Sequence, residues 1–404
     1  MVSSLGHGLD EIIDNAAEHL GDIAYMYNHF FTSQPQERLA KKLIEIVAPE
    51  MDRVRFVSGG SEANETAIRM ARQYHVDRGD NAKWEIISPS QSYHGATMAT
   101  LALSGRPSLH DVYGPYLSKH HHIPPSIPKF DLSGQVALDA LDAALEAAGP
   151  ENVSAFFCEP ISAAALPAYS PPDLFWEGLA ERRDEYGFLI CFDEIVSGLG
   201  RTGSWMGYQS LPIEPDIVTI GKGLGAGYAP LAAMLCRKDV YESVAAGSKF
   251  FELGHTWDGA PLPCSAGLAV IDYLVEHSLI ENVSSRGPTL LSQLEEAISE
   301  SEIVGEVRGR GFLLGVEFVD PSDGFSPLPD DLNLATLIDT TALDQGLLVL
   351  SSHSNADGFI GDQTTIAPAY TSTDAELTEM IDRFANVVSR AELIVKQKQS
   401  GGSS

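Results

Sequence analysis

The chain has 404 residues, 44% of them apolar, with 26 lysines and arginines against 56 aspartates and glutamates, giving a formal net charge of −30. That length supports one large core or two moderate ones, and the composition excludes a disordered chain. The negative charge argues against nucleic-acid or anionic-membrane partners, whose phosphates it would repel. No apolar run reaches the length of a bilayer span and no basic-then-apolar export signal opens the sequence, so a cytoplasmic location is expected.

Residues 8–50 alternate helical patterns with turns; LDEIIDNAAEHL and QERLAKKLIEIVA both place apolar residues at i, i+3 and i+4. Short apolar runs then alternate with helical stretches. RVRFVSGG reads as a strand and loop, SEANETAIRMARQYHV as a helix, and KWEIISPS as a strand. GQVALDALDAALEAAG is a helix, VSAFFCEPIS a strand, and DLFWEGLAERRDEYG a helix ending at a glycine. FLICFDEIV, PDIVTIGK and LAAMLCRK are further strands. This alternation implies an α/β fold with a mainly parallel sheet covered on both faces. After SAGLAVIDYLVEH the pattern changes. VGEVRGRGFLLGVEFVD, ATLIDTTALDQG, LLVLSS and DAELTEMIDRFANVVSRAELIVKQ predict a smaller α+β unit that ends in a long helix. The expected division is an N-terminal segment at 1–40 that packs with the smaller unit or a partner, a large domain at 41–280, a small α+β domain at 281–398 and a flexible tail at 399–404.

Four cysteines, Cys158, Cys191, Cys236 and Cys264, form no CxxC pair and read as buried thiols of a reducing compartment. The acidic excess fits either an ordinary acidic enzyme or adaptation to high salt, where screening relieves self-repulsion. With only ten lysines in the chain, the second reading is favoured. His120, His121 and His122 stand in a row, but consecutive residues share no face of a strand or helix, so no metal site is expected from them.

Three features carry chemistry. Ser58, Gly59, Gly60 and Ser61 stand directly before a predicted helix. Glycines let backbone N–H groups approach an anion, the helix start adds partial positive charge, and Ser61 can cap the helix and donate to a phosphate oxygen. The phosphate-loop pattern GxxxxGK[ST] is absent. Asp193 ends an apolar strand in FLICFDEIVSGLGRTG. Catalytic groups of parallel α/β folds collect at such carboxyl ends; the alternatives are a loop-capping aspartate or a metal ligand paired with Glu194. Lys222 follows another strand in DIVTIGKGLGAG, isolated between two glycines. It is either a turn lysine reaching water or an amine presented to a ligand. An amine and a carboxylate at strand ends, with an anion-binding helix start, make a site for a phosphorylated aromatic aldehyde. The acid would keep a ring nitrogen protonated and the ring electron-poor, while the lysine would form a Schiff base and move a proton.

Together, SGGSEANETAIRMAR, SYHGAT, CEP, FDEIVSGLGRTG, PDIVTIGKGLGAGYAP and GHTWDGAPLPCSAGLAV, in this order, resemble the class III, omega-amino type, pyridoxal-phosphate-dependent aminotransferases of fold type I. The resemblance implies a seven-stranded, mainly parallel sheet in the large domain and the cofactor pyridoxal 5′-phosphate. It implies that Lys222 carries the Schiff base and that Asp193 faces the ring nitrogen. Gly60 and Ser61 would hold the phosphate, and Tyr93, with His94 beside it, and Ile195 would lie on the two ring faces. Thr256 would reach the phosphate of a second subunit, so a homodimer with shared sites is implied. Glu159 and Trp257 are candidate wall residues, and Arg201 reads as structural. The implied reaction moves an amino group from an amine or omega-amino acid to pyruvate or 2-oxoglutarate by a ping-pong route. An aminomutase or racemase on the same residues, a catalytically weak cofactor binder, and a nucleotide-binding module are the alternatives.

The sequence departs from this pattern in three places. Val196 replaces a glutamine that in several members holds the cofactor's phenolic oxygen. GDQTTIAPAYTST lacks the arginine that often clamps a substrate carboxylate, which turns the expected donor toward amines; Arg106 or Arg308 would have to substitute. The sequence opens at LGHG, without the arm that usually precedes it, so a more open site is expected.

Overall fold

The short apolar runs of the first 240 residues form one sheet, seen here in a computed structural model that describes residues 1–105, 107–127, 129–353 and 361–401. Its strands are β1 (Arg53–Val57), β2 (Glu85–Pro89), β3 (His121–Ile123), β4 (Val153–Cys158), β5 (Leu189–Asp193), β6 (Ile217–Ile220) and β7 (Ala232–Cys236). They lie in the order β1-β7-β6-β5-β4-β2-β3. From β6 to β3 all neighbours are parallel, and β7 alone runs against both of its neighbours. Successive residues of a strand face opposite sides, and the sequence uses both. Ala155, Phe157, Leu189 and Cys191 pack beside Ala67, Met70 and Ala71 of the helix Gly60–Asp77. Phe156, Cys158, Ile190 and Phe192 go to the opposite face, with Leu138 and Leu141 of the helix Gln135–Ala148 and Phe175, Trp176 and Leu179 of the helix Asp173–Tyr186. Burial of each of the larger side chains contributes roughly 1.5–3 kcal/mol. That is why these strands read as continuous apolar runs rather than alternating ones. The helix Asp173–Tyr186 stops at Gly187, whose φ of 66° suits a residue without Cβ.

The second sheet is antiparallel throughout, in the order β10-β11-β9-β8, with β8 (Val304–Arg310), β9 (Leu313–Phe318), β10 (Leu350–His353) and β11 (Asp362–Ile366). The helices Leu279–Ile298, Leu334–Asp344 and Asp374–Gly401 pack with it. Two buried or half-buried arginines stitch it to the first unit. Arg201 donates to the carbonyls of Phe312 (3.1 Å) and Pro368 (2.6 Å), and Arg308 donates to Pro167 O (2.8 Å).

Several expectations shift. The helical pattern at 36–48 is α-helical only to Lys42, then continues as a π-helical turn over Leu43–Val47. LLVLSS pairs only from Leu350. The tail expected from 399 begins inside the last helix, which runs through Gly401; residues 402–404 lie outside the described residues. In the segment 1–40, the helix Asp10–Asp22 lies on the helix Pro261–Glu276, and Ser265 Oγ donates to Asn15 O (3.3 Å). Its first residues reach the smaller unit, where Tyr370 N donates to Ser4 O (2.7 Å) and Thr371 Oγ1 to Leu5 O (3.2 Å).

Candidate active site

Because β6, β5, β4 and β2 are parallel, the residues that leave their carboxyl ends converge on one rim of the sheet. Asp193, the last residue of β5, is buried there. Its Oδ2 accepts from Asn64 Nδ2 (2.8 Å) and faces His94 Nδ1 (2.9 Å), and its Oδ1 accepts from Ile195 N (3.1 Å). Asn64, on the inner face of the helix Gly60–Asp77, also donates to His94 O (2.6 Å) and accepts from Thr219 Oγ1 of β6 (2.6 Å). His94 is pinned in turn by Ser104 Oγ, which accepts from its N–H (2.8 Å), and packs edge-on against Phe157, centroids 4.9 Å apart. The carboxylate thus keeps a fixed direction without a lysine or arginine partner among the described residues.

Lys222 begins the loop that joins β6 to the reversed strand β7. Its φ of 35° is the left-handed region, a costly conformation for a side chain with a Cβ. Its amine makes no hydrogen bond or ion pair among the described residues. Burial pushes its pKa below the ordinary lysine value, while the charges of Asp193 and Glu159 pull the other way. A buried ammonium with no direct partner is held ready to lose its proton.

Lys222 and Asp193 line the same cavity of about 310 Å³. Gly60, Ser61, Tyr93, His94, Glu159, Ile195 and Val196 line it too, as do Val2 and Ala164. A Cβ at Gly60 would stand 2.7 Å from Ile195 Cδ1, so a side chain there would have to displace the end of Ile195. The helix begins at Gly60 with Gly59 as its cap, so Ser61 does not cap it as expected. The Ser61 hydroxyl instead accepts from Ala96 N (3.1 Å), and Glu62 accepts from Ser58 N (2.8 Å). Glu159 is held by Tyr93 N (3.3 Å), Ala163 N (3.3 Å) and Ser162 Oγ (3.2 Å). Burial pushes its pKa up to about 7, although His94 lowers it and Asp193 raises it further.

Two expected residues lie elsewhere. Thr256 lines a separate cavity with Tyr27, His29, Arg55 and Phe250, and Trp257 is exposed, edge-on to Tyr25. Arg308 does not line the Lys222 cavity; its guanidinium is taken up by Pro167 O, Glu306, Glu317 and Gln363. Arg106 lies outside the described residues. Within the stretch noted for lacking an arginine, Thr365 is buried and donates to Ala163 O (2.8 Å). Asn64 and Thr219 were missed. The available signal was an asparagine on the apolar stripe of Ala63, Ala67, Met70 and Ala71, where a polar side chain needs a partner.

The family model for class-III aminotransferases matches residues 1–388. The chain belongs to the class-III aminotransferase family. It is 35% identical over 400 residues to an aminotransferase, YodT, of Bacillus subtilis (strain 168), which covers 98% of this chain and 90% of that protein. It is 30% identical to the hypotaurine/taurine–pyruvate aminotransferase of Paracoccus denitrificans (strain Pd 1222), over 96% of this chain and 85% of that one. Among solved structures it superposes on the omega transaminase of Pseudomonas jessenii in complex with PMP with a TM-score of 0.90 at 28% identity, covering 98% of this chain and 88% of that one. An (S)-enantioselective omega-transaminase from Thermomicrobium roseum gives a TM-score of 0.87 at 31% identity, covering 96% and 86%.

The protein is therefore a fold type I, pyridoxal-phosphate-dependent aminotransferase. Its residues fit that cofactor. The cavity offers one partnerless amine, one carboxylate whose position is fixed by Asn64 and His94, and a glycine-lined helix start.

Proposed function

We propose that the Lys222 cavity is the transamination site, with pyridoxal phosphate held by Lys222 at its aldehyde carbon and by Asp193 at its ring nitrogen. The observation that carries this is the pairing, in one cavity, of a partnerless lysine and a fixed buried carboxylate at neighbouring strand ends. The cofactor, when bound, supplies an electron-poor ring that accepts the electrons of the donor's broken C–H bond. Asp193 keeps the ring nitrogen protonated. Asn64, itself held by Thr219, and His94 keep one oxygen of Asp193 in line, and the Ile195 amide holds the other. The backbone around Gly60 and Ser61 receives the phosphate, and Tyr93 and Ile195 close on the two ring faces. Lys222, its pKa lowered by burial, takes the proton from the donor carbon and returns it within the same cavity. The same groups then serve a keto acid, pyruvate or 2-oxoglutarate, in reverse order.

The donor we infer is an amine or an omega-amino acid, whose reacting amine is remote from any carboxylate. Among the described residues, Lys222 is the one cation lining the cavity, and its walls at Val2, Ala164, Val196 and Leu231 are apolar. Taurine and gamma-aminobutyrate enzymes among the relatives point the same way. A homodimer completes the reading. Exposed Tyr25, Tyr27 and Phe250 line the cavity of Thr256, the residue assigned to the second subunit's phosphate, and exposed Trp257 and Phe30 pack against Tyr25 and Tyr27. We assign the large domain to 41–280 and the small one to 281–398. No helix among the described residues is long and apolar enough to cross a membrane, in keeping with a cytoplasmic enzyme. The charge of −30 fits high-salt adaptation, so the melting temperature is expected to rise between about 0.1 M and about 1 M salt.

The test is a donor panel of simple amines, omega-amino acids and alpha-amino acids offered with pyruvate or 2-oxoglutarate, read as keto acid consumed. Turnover of the first two classes is expected. Turnover confined to alpha-amino acids would overturn the donor assignment, and rearrangement of donors with no keto acid consumed would favour a mutase.

A further inference from the structure

His94 lines the active-site cavity, and its buried ring makes one hydrogen bond among the described residues, from Nδ1 to Asp193 Oδ2 at 2.9 Å. Its Nε2 is buried with no partner among them. With a proton on Nε2 alone, a nitrogen lone pair would face the carboxylate, so the proton is assigned to Nδ1 and His94 donates to Asp193. Apart from that contact and the edge of Phe157, nothing on the ring fixes its direction among the described residues, so its aim is set by the backbone that carries it.

That backbone lies in the loop after β2, outside any strand, and two side chains take up its polar groups in place of a ladder. Asn64 Nδ2 donates to His94 O (2.6 Å), and Ser104 Oγ accepts from His94 N (2.8 Å). Asn64 also touches Asp193 directly. Ser104 does not, and it does not line the cavity. Ser104 is itself immobile. It is fully buried at the end of the helix Met98–Leu103, and its hydroxyl proton goes to Thr100 O (3.0 Å), which leaves a lone pair for the His94 amide. The next residue is pressed against the start of the same loop. Gly105 N donates to Ser92 Oγ (3.1 Å), and Gly105 O accepts from Gln91 N. A Cβ on Gly105 would stand 2.5 Å from Pro89 O and 2.6 Å from Gln91 N, backbone atoms that cannot yield as a side chain would.

We propose that Ser104 is a positioning residue of the transamination site: by holding the His94 amide it aims the imidazole at Asp193, and so sets the grip of that carboxylate on the cofactor's ring nitrogen. The inference rests on the transamination reading of the cavity. Each link is a hydrogen bond, Ser104 Oγ to His94 N and His94 Nδ1 to Asp193 Oδ2, and no bond is made or broken along it. Without Ser104 the His94 amide is a buried donor with no acceptor, and the loop gains by turning it elsewhere. The imidazole turns with it, and Asp193 loses one of the three donors that fix its plane.

The test compares two ligands of the apo-protein by titration calorimetry, pyridoxal 5′-phosphate and its deaza analogue, in which a C–H replaces the ring nitrogen. The analogue keeps the aldehyde and the phosphate and offers Asp193 nothing to hold. Ser104→Ala should weaken pyridoxal phosphate about tenfold and leave the analogue unchanged. If that variant does not fold, Ser104→Cys, whose sulfur accepts only weakly, carries the same comparison. In a His94→Phe background, which keeps the backbone N–H and removes the imidazole, the Ser104 substitution should cause no further loss of preference between the ligands. Equal weakening of both ligands, no change in either, or a further loss of preference in the His94→Phe background overturns this inference and leaves the transamination reading standing. A wild type that binds the two ligands equally overturns the assignment of Asp193 to the ring nitrogen as well.

Discussion

The ends of β5 and β6 lie side by side and carry opposite charges held in opposite ways. Asp193 is fixed by Asn64, His94 and the Ile195 amide, so that its carboxylate has no freedom left. Lys222, one strand over, has no hydrogen-bonded partner among the described residues and sits on a backbone in the left-handed region. The difference matches the two tasks proposed for them. A group that must hold one fixed charge against a ring nitrogen is best immobilised. A group that must gain and lose a covalent bond and a proton is best left unpartnered, with its pKa drawn down by burial.

The largest test of this contrast is Lys222→Ala. Turnover should fall by about 100- to 10,000-fold, the share usual for a proton-transfer group, and borohydride should fix no cofactor to the protein. A folded variant with unchanged turnover would break the contrast at its centre. Glu194→Gln probes the neighbour of Asp193. Burial pushes the Glu194 carboxyl up from 4.5 to about 7, ahead of the hydrogen bonds from Ser197 and Gly207 that lower it. Between those values the folded state binds more protons than the unfolded one, so stability is full below pH 4.5 and declines as the pH rises to 7. The decline attributable to Glu194 is about 3 kcal/mol, an order-of-magnitude figure. Denaturation at pH 5 and at pH 8 should show a smaller difference in the variant than in the wild type. Asn64→Ala should cost about 1–3 kcal/mol in urea denaturation, because it strands Thr219 Oγ1 and removes a donor from Asp193. It should also weaken cofactor retention in dialysis while leaving covalent attachment at Lys222 possible; equal retention would show that His94 and the Ile195 amide suffice. The smallest effect is expected from Gly221→Ala. Its φ of −164° is open to any residue and a Cβ would meet Ala232 and Ile195 at ordinary contact distance, so the melting temperature should hardly move.

The groups assigned to ligand were legible because each sits where a local pattern breaks. An apolar strand stops at Asp193, another stops before Lys222, and a glycine pair precedes a helix. The network beneath them was not, because Asn64, His94 and Thr219 come from three separate elements and meet only in the folded chain. Two strands also escaped the pattern. β3 is three residues long and begins with two histidines, and β11 reads DQTTI, polar to the eye yet buried at every position in the middle of its sheet. Thr365 and the Gln363 side-chain carbonyl find partners far along the chain, in Ala163 O and Arg308. Thr256 and Trp257 were drawn from the resemblance, and one chain does not bring them to Lys222.

Val2 forms part of the wall around Lys222, and the residues just after it are anchored by Tyr370 and Thr371. On a ribosome adding about 5–20 residues per second, those anchors emerge long after the wall segment. In a nascent chain the wall beside Lys222 therefore lacks these anchors until the last stretch is translated.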